Sequence, residues 1–485
     1  MSVLENLEPK RVFHYFEEIA NIPHGSRDTK RISDYLVNFG KEHHLETYQD
    51  EMNNVILIKE ATTGYENVEP IIIQGHMDMV CEKESDSNID FSTDPLSLYI
   101  DGDFVKAEKT TLGGDDGIAV AYALAILESD QLRHPRLEVV ITVDEEIGML
   151  GAFGMDLSVL KGKRMLNIDS DEEGHFLTGC AGGMSLLADI PVARENRSGL
   201  KLNVKITGLD GGHSGAQIDK EHGNANILMG RLFARLKEQL VFSLIDFAGG
   251  TKDNAIPRES FASLLIDADD RENAVSVIEA LKIDLKKEFA IADPNVTIEY
   301  DFAGESTESA LSLSSVTKII FYLREVPNGM LHMSQNMKGL VETSLNLGIL
   351  ELQGDQLHMV TSIRSSVSSR KEDLKERIRM LVEMLGGEIT IEGDYPAWEY
   401  IPDSPLRDKI AEIYQEQYHE KPIFEAIHAG LECGIFYEKL NGIDCVSFGP
   451  NNYDIHTPKE RLSISSTERV WKLLIAILER ANEIR

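Results

Sequence analysis

The chain has 485 residues, 42% of them hydrophobic and 27% charged, the composition of an ordinary globular protein too long for one core. Its 82 acidic against 48 basic residues give a formal charge of -34, which argues against nucleic acid and anionic membranes as partners, since both attract basic patches. Four scattered cysteines, Cys81, Cys180, Cys433 and Cys445, form no CxxC pair, so neither a disulfide scaffold nor a thiolate zinc site is indicated; a reducing, cytoplasmic setting is expected.

In chain order, "MSVLENLEPKRVFHYFEEIANIP" reads as an amphipathic helix, with Pro9 suited to its first turn and Val12, Phe13, Phe16 and Ile19 as its buried stripe. It lacks the basic start and apolar core of a signal peptide. From residue 50 to 180 apolar strands alternate with helical patterns. "NNVILIK", "EPIIIQGH", "RLEVVITVDEE" and "GKRMLNIDSDEE" read as strands and "DDGIAVAYALAILESD" as a helix, which argues for an α/β domain around a central mixed sheet. The apolar run from Gly117 is too short to span a bilayer. Near residue 186 the style changes to strands with intervening helices at roughly 223–240, 272–290 and 312–325. A hairpin is expected to turn at Gly354-Asp355. This stretch reads as two α+β units, and from residue 396 the α/β style returns. The expected organisation is a domain of residues 1–185 and 396–485, interrupted by an inserted α+β domain at 186–395.

Three apolar strands of the first section end in chemistry-bearing residues. "IIIQGHMD" ends in His76 and Asp78, "LEVVITVDEE" in Glu145 and Glu146, and "MLNIDS" in Asp169. Side chains two apart on an extended chain share a face, so Asp78 is placed to orient the His76 imidazole. In open α/β sheets the carboxyl ends of strands border the ligand crevice. Asp115 and Asp116, in the glycine-rich turn "TTLGGDDGIA", and His456, in "GPNNYDIHTPKERL", are candidates to join them. Two unit charges ~4 Å apart at an effective dielectric of about 20 interact by roughly 4 kcal/mol, so such a crowd of carboxylates calls for cations. Histidines with carboxylates suit zinc, and manganese or cobalt also fit. One symmetric arrangement uses the whole set: Asp115 bridges two metals, His76 and Asp169 complete one, and Glu146 and His456 complete the other. Glu145 is then free to act as general base on a metal-activated water.

Five segments in this order, "GHMDMV", "GGDDGIA", "VDEEIGMLGA", "NIDSDEEG" and "YDIHTPKERLSI", resemble the M20 family of metallopeptidases, and most nearly its aminoacyl-histidine, or cytosol non-specific, dipeptidase branch. The resemblance spans essentially the whole chain. It implies an α/β catalytic domain interrupted by a lid, two divalent ions, and the same ligand set, with Glu145 as base and Asp78 as orienter. Asp115-Asp116-Gly117 lacks the lysine that many members carry in the Asp-x-Lys-Gly version of this turn. That departure fits the dipeptidase branch, as does Asp169 in preference to glutamate. Asp169, at the strand's end, is chosen as the ligand over Asp171.

The resemblance further implies that His213, in "GLDGGHSGAQID", stabilises an oxyanion, the other reading being a turn histidine. Asn254 matches a lid asparagine or caps a loop. Arg364 binds a substrate carboxylate through a bidentate pair or is an exposed strand arginine. Glu432, in "HAGLECGIF", is assigned to the pocket, where it would meet a substrate amino terminus. Hydrolysis of unblocked dipeptides, Xaa-His types included, is the expected activity. Its rivals are a deacylase or carboxypeptidase acting on N-acyl amino acids and a degenerate binding module. A homodimer is compatible with the resemblance, although a doubled lid could supply His213 and Arg364 within one chain.

Overall fold

The structure, a computed structural model, describes residues 2–485. The chain forms two compact units. The first comprises the chain up to Cys180, Tyr400–Ala426 and Leu431–Arg485, and the second Ala181–Glu399 with Ile427–Gly430.

The first unit is built on an eight-stranded mixed sheet. Its strands lie in the order Glu46–Gln49, Val55–Lys59, Leu137–Thr142, Ile71–His76, Arg164–Asn167, Asp444–Ser447, His175–Cys180 and Ile423–Ile427. The four central strands, from Leu137–Thr142 to Asp444–Ser447, run parallel. Parallel strands are covered on both faces, which explains why "IIIQGH" and "LEVVIT" are buried at every residue and show no apolar–polar alternation. Register aligns their ends: His76 sits opposite Thr142 and Gln74 opposite Asn167. The residues that follow each strand therefore emerge at one edge of the sheet.

The helix Gly114–Glu128 is buried along almost its whole length, as a helix apolar on every side must be. It packs against the helix Lys10–Ala20, whose Val12, Phe13, Phe16 and Ile19 are buried as their spacing requires. A smaller four-stranded sheet has the order Asn452–Tyr453, Arg461–Ser463, Phe104–Ala107 and Leu98–Asp101. His456 lies in the loop between the first two of these strands.

The second unit is α+β. A single nine-stranded antiparallel sheet holds two halves that meet where Phe242–Gly249 pairs with Val341–Gln353 through Ala248↔Glu351 and Gly249↔Leu350. The helices Ala225–Gln239, Arg271–Glu288, Leu313–Glu325 and Ser368–Met384 contribute to one shared core beneath it. The two expected α+β units are thus halves of one sheet. The hairpin between Val341–Gln353 and Gln356–Ser365 turns at Gly354-Asp355, with Gly354 at φ +60. Among the described residues no helix is long and apolar enough to cross a membrane, and none of the four cysteines is joined in a disulfide.

Candidate metal centre

His76 is the last residue of its strand and is 1% exposed. Its Nδ1 lies 3.0 Å from the Asp78 carbonyl oxygen and 3.4 Å from Asp78 Oδ1. These acceptors assign the ring proton to Nδ1. Nε2 then faces Asp115 Oδ1 at 3.1 Å and Asp169 Oδ1 at 3.7 Å. Both the side chain and the backbone carbonyl of Asp78, the residue expected to orient His76, thus lie on the Nδ1 side of the ring. The close approach depends on Gly75: a Cβ there would stand 2.5 Å from Asp116 Oδ2 and 2.6 Å from Ala119 Cβ.

Asp78 is also the anchor of the neighbouring turn. It accepts hydrogen bonds from Ser26 Oγ at 2.8 Å and from the backbone N–H groups of Glu145 and Glu146 at 3.1 and 3.4 Å. The strand preceding these glutamates ends at Thr142, earlier than the apolar run suggested, because Asp144 turns the chain at φ +56. Consequently Glu145 and Glu146 occupy a turn, where adjacent side chains are freed from strict up-and-down alternation. The Glu146 carboxylate reaches His456 Nε2 at 2.9 Å. His456 itself sits in the left-handed region at φ 60, an uncommon conformation for a residue with a side chain.

Asp115 joins the two groups. Its Oδ1 faces His76 Nε2 at 3.1 Å, and its Oδ2 faces His456 Nε2 at 3.1 Å. Asp115 and Asp116 interrupt helical geometry at the start of the helix Gly114–Glu128, and the peptide between them is cis. Asp116 also meets the His76 backbone, its Oδ2 accepting the His76 N–H at 3.2 Å.

The donor set fits divalent cations. Each imidazole Nε2 stands between two carboxylates, and one ring proton cannot serve both. The oxygens of Asp115, Asp169 and Glu146 pair with histidines alone. Ligand bonds of about 2.0–2.2 Å around a tetrahedral ion put donor atoms roughly 3.3–3.6 Å apart, close to the spacing here. His76 with Glu145 and Glu146, and Asp115 with Glu146 and His456, each converge tightly enough to hold an ion, as do His76, Asp116 and Asp169.

The electrostatics carry the same mark. Burial lifts the Asp169 carboxyl well above its ordinary range, with Asp116 adding to the rise. Burial lifts Asp171 to about 7, helped by Asp115 and Glu460. Burial also lifts Glu145 to about 7; His76 opposes this, and Glu146 and Asp115 reinforce it. Hydrogen bonds donated to Asp115 and Glu146 raise His456 to about 10. For Asp115 burial pulls upward, but hydrogen bonds from His456 and His76 outweigh it and hold the carboxyl low. Between Asp169 and Asp171, only the former has an oxygen within ion-pair distance of His76.

Three further expected residues belong to the second unit. His213 Nδ1 accepts the N–H groups of Gly215 and Ala216, each at 3.1 Å. Its proton is therefore on Nε2. Burial, followed by the Arg364 charge, lowers its pKa, so the ring is neutral with one N–H to donate. Asn254 is exposed, and its carbonyl accepts the Ser214 N–H at 2.8 Å across a short ribbon in which His213 pairs with Ala255. Arg364 donates from Nη1 to Tyr395 Oη at 3.0 Å, while its Nε has no hydrogen-bond partner among the described residues. A Cβ on Gly215 would lie 3.1 Å from His213 Cε1 and 3.2 Å from Arg364 Nε, so this glycine lets the two side chains flank it. His213 and Asn254 line one cavity of about 800 Å³.

One expectation is corrected. Glu432 does not meet a substrate's amino terminus: it is wholly buried, with Oε2 accepting from Gln74 Nε2 at 2.5 Å and Thr142 Oγ1 at 2.7 Å. Gln74 in turn accepts from Asn167 Nδ2 at 2.5 Å, so a polar chain crosses three strands behind His76. Sequence reasoning missed this chain and also the support that Asp116 and Ser26 give to His76 and Asp78. The polar Gln74 and Asn167 inside otherwise apolar parallel strands were the available signal.

Residues 72–480 match the model of Peptidase family M20/M25/M40. The cytosol non-specific dipeptidase of Escherichia coli (strain K12) is 38% identical over 481 residues, 99% of each chain. The crystal structure of aminoacylhistidine dipeptidase from Vibrio alginolyticus superposes with a TM-score of 0.94 at 35% identity, covering 98% of this chain and 97% of that one. Aminopeptidase PepT from Bacillus cereus ATCC 10987 shares the fold at a TM-score of 0.57 and 15% identity, over 98% and 99% of the two chains.

Proposed function

The chain belongs to peptidase family M20/M25/M40, and from that premise we propose that it is a two-metal dipeptidase hydrolysing unblocked dipeptides, Xaa-His types among them. The observation that carries this reading is the Asp115 carboxylate, whose two oxygens each face a different histidine at 3.1 Å. Similarity to the Escherichia coli and Vibrio alginolyticus dipeptidases over nearly the full length supports the substrate class.

His76 and Asp169 would hold one divalent ion, His456 and Glu146 the other, and Asp115 both. Zinc suits these donors best, with manganese or cobalt also accommodated. Bound there, the ions supply positive charge that acidifies water and polarises the scissile carbonyl. The remaining steps fall to side chains. Glu145, whose carboxylate makes no hydrogen bond among the described residues and is shifted to about 7, takes the proton of the attacking water and passes it to the leaving amine. Asp78 keeps the His76 tautomer and holds the Glu145 backbone. For the second unit the proposed roles rest on the family resemblance: neutral His213 with an Nε2–H for an oxyanion, Arg364 with a guanidinium for a terminal carboxylate, and Asn254 with an amide. Cysteines that form no disulfide among the described residues support a reducing, cytoplasmic setting.

A panel of free and N-acetylated dipeptides, assayed with and without chelator, tests the proposal. Hydrolysis of free dipeptides that chelation abolishes and divalent ions restore is expected. Turnover confined to the acetylated compounds would point to a deacylase, and turnover indifferent to chelation would remove the two-metal reading.

A further inference from the structure

We infer that Glu460 is a positioning residue of the metal centre, fixing the turn that carries Asp115 to the loop that carries His456. The inference rests on the two-metal reading above. Glu460 follows His456 by four residues and is 3% exposed. Its Oε2 accepts the backbone N–H groups of Leu112 at 2.7 Å and Gly113 at 3.1 Å, and its Oε1 those of Gly114 at 2.8 Å and Asp115 at 3.3 Å. Asn452 Nδ2 adds a contact to Oε1 at 3.3 Å. Four successive N–H groups gathered on one carboxylate make an anion nest, here occupied by a side chain of the same protein.

The glycines of "LGGDD" fit this purpose independently. Gly113 adopts φ +69, and a Cβ on Gly114 would stand 2.8 Å from Asn452 Nδ2 and 3.1 Å from Glu460 Oε1. Backbone this close to a carboxylate leaves no room for a side chain. The two ends of the clamp are 345 residues apart in sequence, and one of them bonds the amide of the residue proposed to bridge the ions. Because His456 and Glu460 share one short loop, the clamp holds His456 Nε2 at its distance from Asp115 Oδ2. Glu460 acts through Asp115 and His456 and touches neither substrate nor ion.

The test titrates Co²⁺ alone into chelator-stripped full-length protein, following visible absorption, for wild type, Glu460→Gln, Glu460→Asp and Gly114→Ala. Dipeptide kcat and KM and the melting temperature are measured alongside. Glutamine removes the charge and turns an N–H₂ toward N–H donors, so affinity for the more weakly held Co²⁺ should fall about 10–100-fold, with kcat falling in parallel and KM little changed. Gly114→Ala should reproduce this with Glu460 intact. Glu460→Asp, a shorter carboxylate, should recover part of the loss. A merely structural glutamate predicts a lower melting temperature with wild-type Co²⁺ affinity and kcat in the folded fraction, and that result overturns the clamp. Should Glu460→Gln fail to fold, Gly114→Ala decides by the same affinity criterion. Wild type that takes up no pair of ions would overturn the two-metal reading and the clamp together; normal wild-type uptake with unaltered variants overturns the clamp alone.

Discussion

Replacing Glu432 by glutamine should stabilise the metal-stripped protein at alkaline pH and leave it nearly unchanged in mild acid. Glu432 is fully buried, and its Oε1 has no hydrogen-bond partner among the described residues. Burial first, then the Glu145 charge, moves its carboxyl from 4.5 to about 8. A carboxyl raised in the folded state is destabilising once the unfolded chain can ionise. The penalty is absent below the unfolded pKa and complete above the folded one, so stability is lost as pH rises from 4.5 through about 8. Between about pH 5 and about pH 8.5 the loss amounts to about 4 kcal/mol at ~1.4 kcal/mol per pH unit. Glutamine keeps the shape and an acceptor for Gln74 and Thr142 but cannot ionise. Thermal melts of wild type and Glu432→Gln in chelator at those two pH values should diverge by on the order of 10 °C on the alkaline side. An equal difference at both pH values, or a variant destabilised more at alkaline pH, would refute the buried-carboxyl reasoning.

Glu145→Gln should bind both ions yet lose about 10²–10⁴-fold in kcat, and wild-type turnover in a fully loaded variant would remove Glu145 as base. Asp78→Asn, which weakens the hold on His76 and on the Glu145 and Glu146 amides, should cost about 10–100-fold in metal affinity, read by chelator competition. His213→Ala should lower kcat by about 10²–10³ with an intact metal content; an effect confined to KM would make it a binding residue instead.

The proposed ligand set was legible because parallel strands leave a plain trace. "IIIQGH", "LEVVIT" and "RMLN" are apolar runs, and each is followed within a few residues by a histidine or carboxylate that a buried strand would not tolerate in its interior. His76, Glu145, Glu146 and Asp169 could be singled out on that ground, Asp115 by its glycine-rich turn before a helix, and His456 by its place in a late loop. Glu432 was misread for the converse reason: "HAGLECGIF" has the look of a pocket loop, whereas its glutamate begins the helix Glu432–Lys439 and points into the sheet.

By itself the sequence determined an α/β unit with an α+β insertion and the candidate donors, since apolar periodicity and residue chemistry are local properties of the chain. Which donors meet was a tertiary matter. Only the register of Ile71–His76 against its two parallel neighbours brings His76 and Asp169 to the same edge, and only the loop ending at Glu460 carries His456 to the far oxygen of Asp115. Contacts across more than three hundred residues leave no periodic signal, because they are set by packing of the whole unit and not by any segment's own preference.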